Sequence, residues 1–262
     1  VGQVLTMKEN FSTRRLYLNQ RNCMMVMLEN GVIPIVNEND TVSVTELMFT
    51  DNDELSGMIA SMMDMQALFI LSNIDGIYNG SPTAAGSQVI REVEPGKDLS
   101  DYIQTEKSGF GRGGMLTKTT IARKVADEGI AVYIANGKKD NILIDLMQHP
   151  DTTVCTRFVP AKEDVSSVKK WIAHSDGFAK GRLLLNEQAV KVLKGRKAVS
   201  LLPVGVTSIE GEFEKDDIVR IIDHKGKQVG VGRVAFDSTE AVTMIGKHGQ
   251  KALVHYDYLY LE

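Results

Sequence analysis

The chain has 262 residues, 43% of them hydrophobic, and a formal net charge of -4. That is ample apolar material for two domains, and the charge excludes the strongly basic footprint of a protein held to nucleic acid by electrostatics. The longest apolar runs, such as 130–135 and 67–71, fall far short of the roughly 20 residues that a membrane-crossing helix needs. Cys23 and Cys155 stand far apart with no CxxC or Cys/His cluster. This predicts reduced thiols in a cytoplasmic protein, each a small buried apolar residue, rather than a disulfide scaffold or a zinc site.

In chain order, Val1 to Thr6 reads as a strand and Phe11 to Glu29 as a helix with Leu16, Cys23, Val26, Met27 and Leu28 facing inward, stopped by Asn30-Gly31. The first residues are Val-Gly-Gln-Val-Leu-Thr without an initiator Met, from which a missing amino-terminal segment is expected. Val32, Ile33, Ile35 and Val36 are β-branched and uninterrupted by charge, the pattern of a strand buried on both faces of a parallel sheet. It empties into Asn37-Glu38-Asn39-Asp40, where ligands of parallel sheets bind. Asp51-Asn52-Asp53 then opens a helix whose Leu55, Met58, Ile59, Met62 and Met63 recur at helical spacing; alone, this acidic cluster is an ordinary N-cap, and the methionines are core.

A second apolar strand, Ala67 to Leu71, runs into Ser72-Asn73-Ile74-Asp75-Gly76-Ile77-Tyr78, and a Gly/Ser/Pro loop follows over 79–87. Strands alternating with helices predict a three-layer αβα sandwich with a mostly parallel sheet. The stretch Lys107 to Lys118 then leads into a helix carrying Ile121, Ala122 and Val125, and Ile130 to Ala135 forms the next strand. Within it, Gly109-x-Gly111-x-x-Gly114 matches a dinucleotide fingerprint only formally, because no apolar strand precedes it. It is not a P-loop either, since Lys118 comes four residues after Gly114. What remains is an N–H-rich loop at a helix start with Arg112 and Lys118 nearby, chemistry suited to phosphate.

Near 156–167 the character changes: the residues from Lys162 onward carry +2 and the preceding 161 carry -6. Strands Asp217 to Ile222 and Val229 to Val234 flank the turn His224-Lys225-Gly226-Lys227, and Ala252 to Leu261 closes a small, mostly β domain. The domains are placed at 1–160 and 168–262.

Taken together, PIVNENDTV, TDNDELS, LSNIDGIY, SGFGRGGMLTK, KKWI, GRLLLNEQAV and SLLPVGV make the chain resemble the glutamate 5-kinase family, an amino acid kinase domain fused to a barrel-like PUA domain. The resemblance runs over the whole chain in order. It implies ATP-dependent phosphorylation of the L-glutamate side-chain carboxylate, the first step of proline biosynthesis, with ATP and Mg2+ as cofactors. By the same resemblance Asp40 and Asn52 hold the amino acid, Asp53 orients the catalytic lysines and Asp51 supports that site. Ser72 and Asn73 would contact ATP, although Thr-Asp is frequent there, and Arg112, Gly113, Gly114, Met115, Leu116, Thr117 and Lys118 match the nucleotide loop. Lys118 is the lysine expected to stabilise the migrating phosphoryl group; the metal ligands stay open. The family also places a lysine and a Gly/Ser-rich phosphate loop on its first strands, for which this chain has no matching residues, so the activity is expected of the complete parent protein and to be impaired in this chain alone. Self-association into a homo-oligomer and feedback by proline are further implications. The alternatives are another amino acid kinase, or RNA binding through the PUA domain, which the weak +2 charge disfavours.

Overall fold

The computed structural model describes residues 1–42, 49, 51–97, 99, 114–162, 166–195 and 198–261. They form two compact units, one of Val1–Asn10 with Leu18–Val165 and one of Phe11–Tyr17 with Ser166–Glu262.

In the first unit β1 (Gly2–Thr6) and β2 (Pro34–Glu38) pair in parallel, with Gly2 opposite Pro34 and Thr6 opposite Glu38. Helix α1 (Arg14–Glu29) is the crossover between them, the connection that parallel strands require. Thr13 starts it, its Oγ1 accepting from Leu16 N–H at 3.3 Å. The inward face differs from the expected one. Tyr17 and Met24 are buried, whereas Cys23, Val26 and Leu28 are exposed, so the inward positions lie one residue on from Leu16 and Cys23. Likewise β2 is not buried on both faces: Ile33 and Ile35 are exposed and only alternate residues face inward. Cys155, in contrast, is buried as expected.

Strands β3 (Ala67–Ser72), β4 (Glu92–Val93), β5 (Ala131–Asn136) and β6 (Thr156–Phe158) form a sheet in the order β3-β5-β6-β4, with β3 and β5 parallel and β6 antiparallel to β5. Alternation sorts its two faces. Ile70, Val132 and Ile134 pack with Ile121, Ala122, Val125 and Ala126 of α3 (Met115–Asp127). The stacked pair Phe69–Tyr133, with ring centroids 5.1 Å apart, and Ala135 face Ile142 and Leu146 of α4 (Ile142–Gln148). Helices therefore cover both faces of this sheet, the layered arrangement predicted above. Helix α2 (Asn52–Met62) lies against β2, β3 and α3, and Leu55, Met58 and Met62 on it are buried core residues, as read from their spacing.

Among the described residues of the second unit, β7 (Gly181–Leu185), β8 (Val206–Glu210), β9 (Ile218–Ile222), β10 (Gln228–Val234) and β11 (Val254–Leu261) form one sheet in the order β11-β10-β9-β7-β8. The expected hairpin is β9–β10, and β11 is the expected closing strand. Just before β8, Leu201 bridges to Val254 at the start of β11, so the sheet curls until one edge meets the approach to the other. Helices α5 (Ser167–Ala173), α6 (Glu187–Leu193) and α7 (Ser238–Met244) complete the unit. Trp171 of α5 is packed inside it, its indole N–H donating to Phe11 O at 3.0 Å. Buried Leu183, Val219, Ile221 and Val254 anchor the core.

Candidate active site

The best-defined polar cluster in the first unit lies where strands end and helices begin. Asp51 is the N-cap of α2: its extended backbone lets Oδ1 accept from Glu54 N–H at 3.0 Å, while Oδ2 is buried without a partner among the described residues. Two lysines hold the first turn of this helix. Lys8, just beyond β1, reaches Glu54 at 2.8 Å and sits 5.8 Å from the Phe49 ring centroid. Lys118, on the first turn of α3, reaches Asp53 at 2.5 Å. Both pairs are largely shielded, with 15–21% of each side chain exposed, so they are held more firmly than open surface pairs.

Helix packing brings Asp53 and Lys118 together. Along α2, Asp53, Gly57 and Ser61 succeed one another on one face; across the seam stand Lys118, then Ile121 and Val125, then Glu128. Ser61 Oγ donates to Glu128 Oε2 at the far end. The two helices thus run parallel with their amino ends side by side, and both dipoles point positive charge toward the same place. Their close approach depends on Gly57, where a Cβ would fall 2.6 Å from Ile121 Cγ2 and 3.2 Å from Val125 Cγ2. Gly114 caps α3 and, having no side chain, offers its first amides no side-chain acceptor.

The sequence-derived residues fall as follows. Asp51, Asn52, Asp53 and Lys118 converge on the start of α2. Asp40 is exposed in the turn after β2; Asn39 N–H ties that turn to Thr6 O of β1 at 2.7 Å. Ser72 ends β3, and its hydroxyl donates to Asn73 Oδ1 at 3.3 Å. Gly114, Met115, Leu116 and Thr117 form the cap and first turn of α3, with Leu116 exposed. Arg112 and Gly113 lie outside the described residues. No hydrogen bond or ion pair joins Ser72 or Asn73 to Lys118 among the described residues.

Sequence reading missed Glu38, Lys8 and Glu54 as parts of this architecture. Glu38, buried at the end of β2, accepts from Phe49 N–H at 3.0 Å and so closes the loop between the NEND and DND segments. The buried member of four consecutive polar residues is set by strand alternation, which marks residues 34, 36 and 38 as inward. The Lys8–Glu54 pair spans 46 positions and leaves no local signal.

The amino acid kinase family profile matches residues 1–136 and the PUA domain profile residues 181–256. The α/β unit with its strand-end site is thus of the amino acid kinase class. Over 262 residues the chain is 75% identical to Glutamate 5-kinase of Bacteroides thetaiotaomicron, covering 100% of this chain and 73% of that protein. It is 46% identical to Glutamate 5-kinase of Chlorobaculum tepidum, covering 99% of this chain and 71% of the relative. The chain therefore belongs to the glutamate 5-kinase family. Among solved structures, carbamate kinase from Giardia lamblia bound to AMP-PNP aligns over 54% of this chain and 50% of its own, at 17% identity and a TM-score of 0.39.

Proposed function

We propose that this protein transfers the γ-phosphoryl group of ATP to the side-chain carboxylate of L-glutamate, giving L-glutamyl 5-phosphate for proline biosynthesis. The observation that carries the reading is the Lys118–Asp53 contact at the paired amino ends of α2 and α3. A glutamate side chain ionises near pH 4.3 and is already a nucleophile at neutral pH, so no general base is needed. The chemistry then consists of alignment and of neutralising charge on the transferring phosphoryl oxygens. Lys118 supplies a positive charge for that purpose, and Asp53 fixes its amine. Asp40 and Asn52 hold the amino acid. Ser72, Asn73 and the loop from Arg112 to Lys118 hold the nucleotide.

Magnesium fits the donor chemistry present. Asp51 Oδ2 is a buried carboxylate oxygen without a partner among the described residues, and Mg2+ takes one or two carboxylates together with substrate phosphates. Asp51 would hold it, and the ion would neutralise phosphate charge. The PUA-like residues 168–262 would then be architectural or regulatory.

The test is ATP-dependent acyl phosphate formation, trapped with hydroxylamine, by this chain and by the complete parent protein, with L-glutamate and L-aspartate compared. The parent is expected to give product with glutamate and none with aspartate. No product from the parent with either amino acid, or preference for aspartate, overturns the assignment.

A further inference from the structure

The carboxyl ends of β3 and β5 carry a second charged cluster, separate from the Lys118–Asp53 pair. These strands run parallel in register, with Ser72 opposite Asn136, so the loops that leave them start side by side. Asp75 spans the gap. Its Oδ1 accepts from Asn136 Nδ2 at 3.0 Å and from Lys139 Nζ at 2.9 Å, and Gly137 N–H adds a backbone bond to Ser72 O at 2.8 Å. Asn136 is itself aimed by its Oδ1, which accepts from Lys138 N–H at 3.0 Å.

The other side of the β3 loop is anchored in the core. Ile77 N–H donates to Thr156 Oγ1 at 2.8 Å, and that fully buried hydroxyl donates to Ile90 O at 2.7 Å. Gly76, at φ +152°, permits the approach, since a Cβ there would lie 2.6 Å from Thr156 Oγ1 and 2.9 Å from its backbone nitrogen. Asp75 is therefore a fixed post to which the β5 loop is tied. Its side chain is 29% exposed and that of Lys139 41%, at the crevice beyond strand ends where parallel sheets take ligands. An ion pair so exposed adds little to stability. What it does control is the relative position of two loops, one of which begins with Ser72 and Asn73.

We infer that Asp75 is a positioning residue for the nucleotide: by tying Asn136 and Lys139 to the β3 loop it holds Ser72 and Asn73 in the arrangement that receives ATP. The inference rests on the kinase reading above. Loss of the tie reduces the fraction of molecules whose loops are competent to bind, and the apparent affinity falls by that fraction.

Asp75→Ala is expected to raise the KM for ATP about tenfold, as for a competent fraction falling to about a tenth, with the KM for glutamate unchanged and the melting temperature at neutral pH within about 2 °C. Asp75→Asn retains the acceptor oxygen and is expected to stay within about threefold of the unmodified protein. Adding Asn136→Ala to Asp75→Ala should give less than the product of the single effects, because both remove one tie. A KM for ATP unmoved by Asp75→Ala overturns the inference, as does a parallel rise in both KM values with a lower melting temperature. Should Asp75→Ala not fold, Lys139→Met decides by the same readouts: about a threefold rise in the KM for ATP supports the inference and an unmoved KM overturns it. Equilibrium binding of a fluorescent ATP analogue separates this outcome from the kinase reading. If glutamate is not phosphorylated, a tenfold weaker analogue affinity in Asp75→Ala retains the inference and an equal affinity removes it.

Discussion

The two units use charge differently. In the first, Lys8, Lys118, Glu54 and Asp53 form shielded pairs that gather at strand ends and helix starts. In the second, Arg182–Glu210 and Lys191–Glu187 lie open to solvent, with more than half of each side chain exposed, Arg220–Asp176 and Arg233–Asp216 are only partly shielded, and the interior is a continuous apolar cluster. A half-shielded ion pair is an inefficient way to stabilise a fold, because desolvation offsets most of the attraction. The two pairs at the start of α2 are more shielded than Arg220–Asp176 or Arg233–Asp216, and we read them as charge kept for a substrate.

The largest effect should come from breaking that stored charge. Lys118→Ala is expected to lower kcat about a thousandfold, the scale of losing a preorganised charge at the reacting centre, while the melting temperature falls by only a few degrees. Steady-state kinetics beside a thermal melt would show it; near-normal turnover would remove Lys118 from the site. The converse is expected of Leu183→Ala in the fully buried core of the second unit. There the unfolding free energy should drop by about 3 kcal/mol in urea titration, with kcat of the molecules still folded within about twofold. A matching loss of turnover would erase the contrast between the units.

Gly57→Ala probes the link between packing and charge. Its Cβ would collide with Ile121 and push α2 from α3, which is expected to cost about 2 kcal/mol in stability. The same shift displaces Lys118 from Asp53, so kcat should fall by about tenfold, less than the roughly hundredfold that a full ångström of misplacement brings. If only stability changes, the helix seam does not set the amine position.

The smallest effect is on pH dependence. The hydrogen bond from Lys139, with that from Asn136, holds the Asp75 carboxyl below its ordinary value of 3.8 against an opposing contribution from burial. Asp75 therefore adds stability above pH 3.8 that is lost as pH falls through its folded-state value. Burial pushes Asp127 the other way, above 3.8, so its contribution is present below 3.8 and fades as pH rises through its folded-state value. Melting curves of Asp75→Asn and Asp127→Asn should both approach that of the unmodified protein toward pH 3, where the carboxyls protonate and the amide mimics them, and depart from it with opposite signs toward pH 6, Asp75→Asn a little lower and Asp127→Asn higher. Parallel curves would sink both assignments.

How much of this was legible in the sequence depends on how local the cause is. Capping by Asp51, the methionine stripe of α2 and the β9–β10 hairpin turn on neighbouring residues and were readable. The exposure of Ile33 and Ile35 was not, because an unbroken β-branched run records propensity and not which face another layer covers. The inward face of α1 was misplaced for a related reason: with hydrophobic residues at 23 through 28, the periodicity is ambiguous, and tertiary contact selected Met24. At the site, Lys118 and the DND acids were legible from type and resemblance, but their pairing was not. It depends on a glycine one turn further along α2, a residue whose importance is visible only once a second helix lies against it. Asp75 belonged to a stretch recognised from the start, yet its role comes from partners 61 and 64 positions away.

The bridge between Leu201 and Val254 has a consequence for how the second unit could meet other molecules. Exposed sheet edges invite an incoming strand, which is one common way for peptides to bind and for proteins to aggregate. Along the first half of β11 that invitation is withdrawn: Leu201 exchanges backbone bonds with Leu253 and Val254, and Ser200 Oγ takes the amide of Tyr256 at 3.0 Å. A partner approaching there finds side chains and loops to recognise, not free backbone to extend, so recognition at that margin must be written in residue identity.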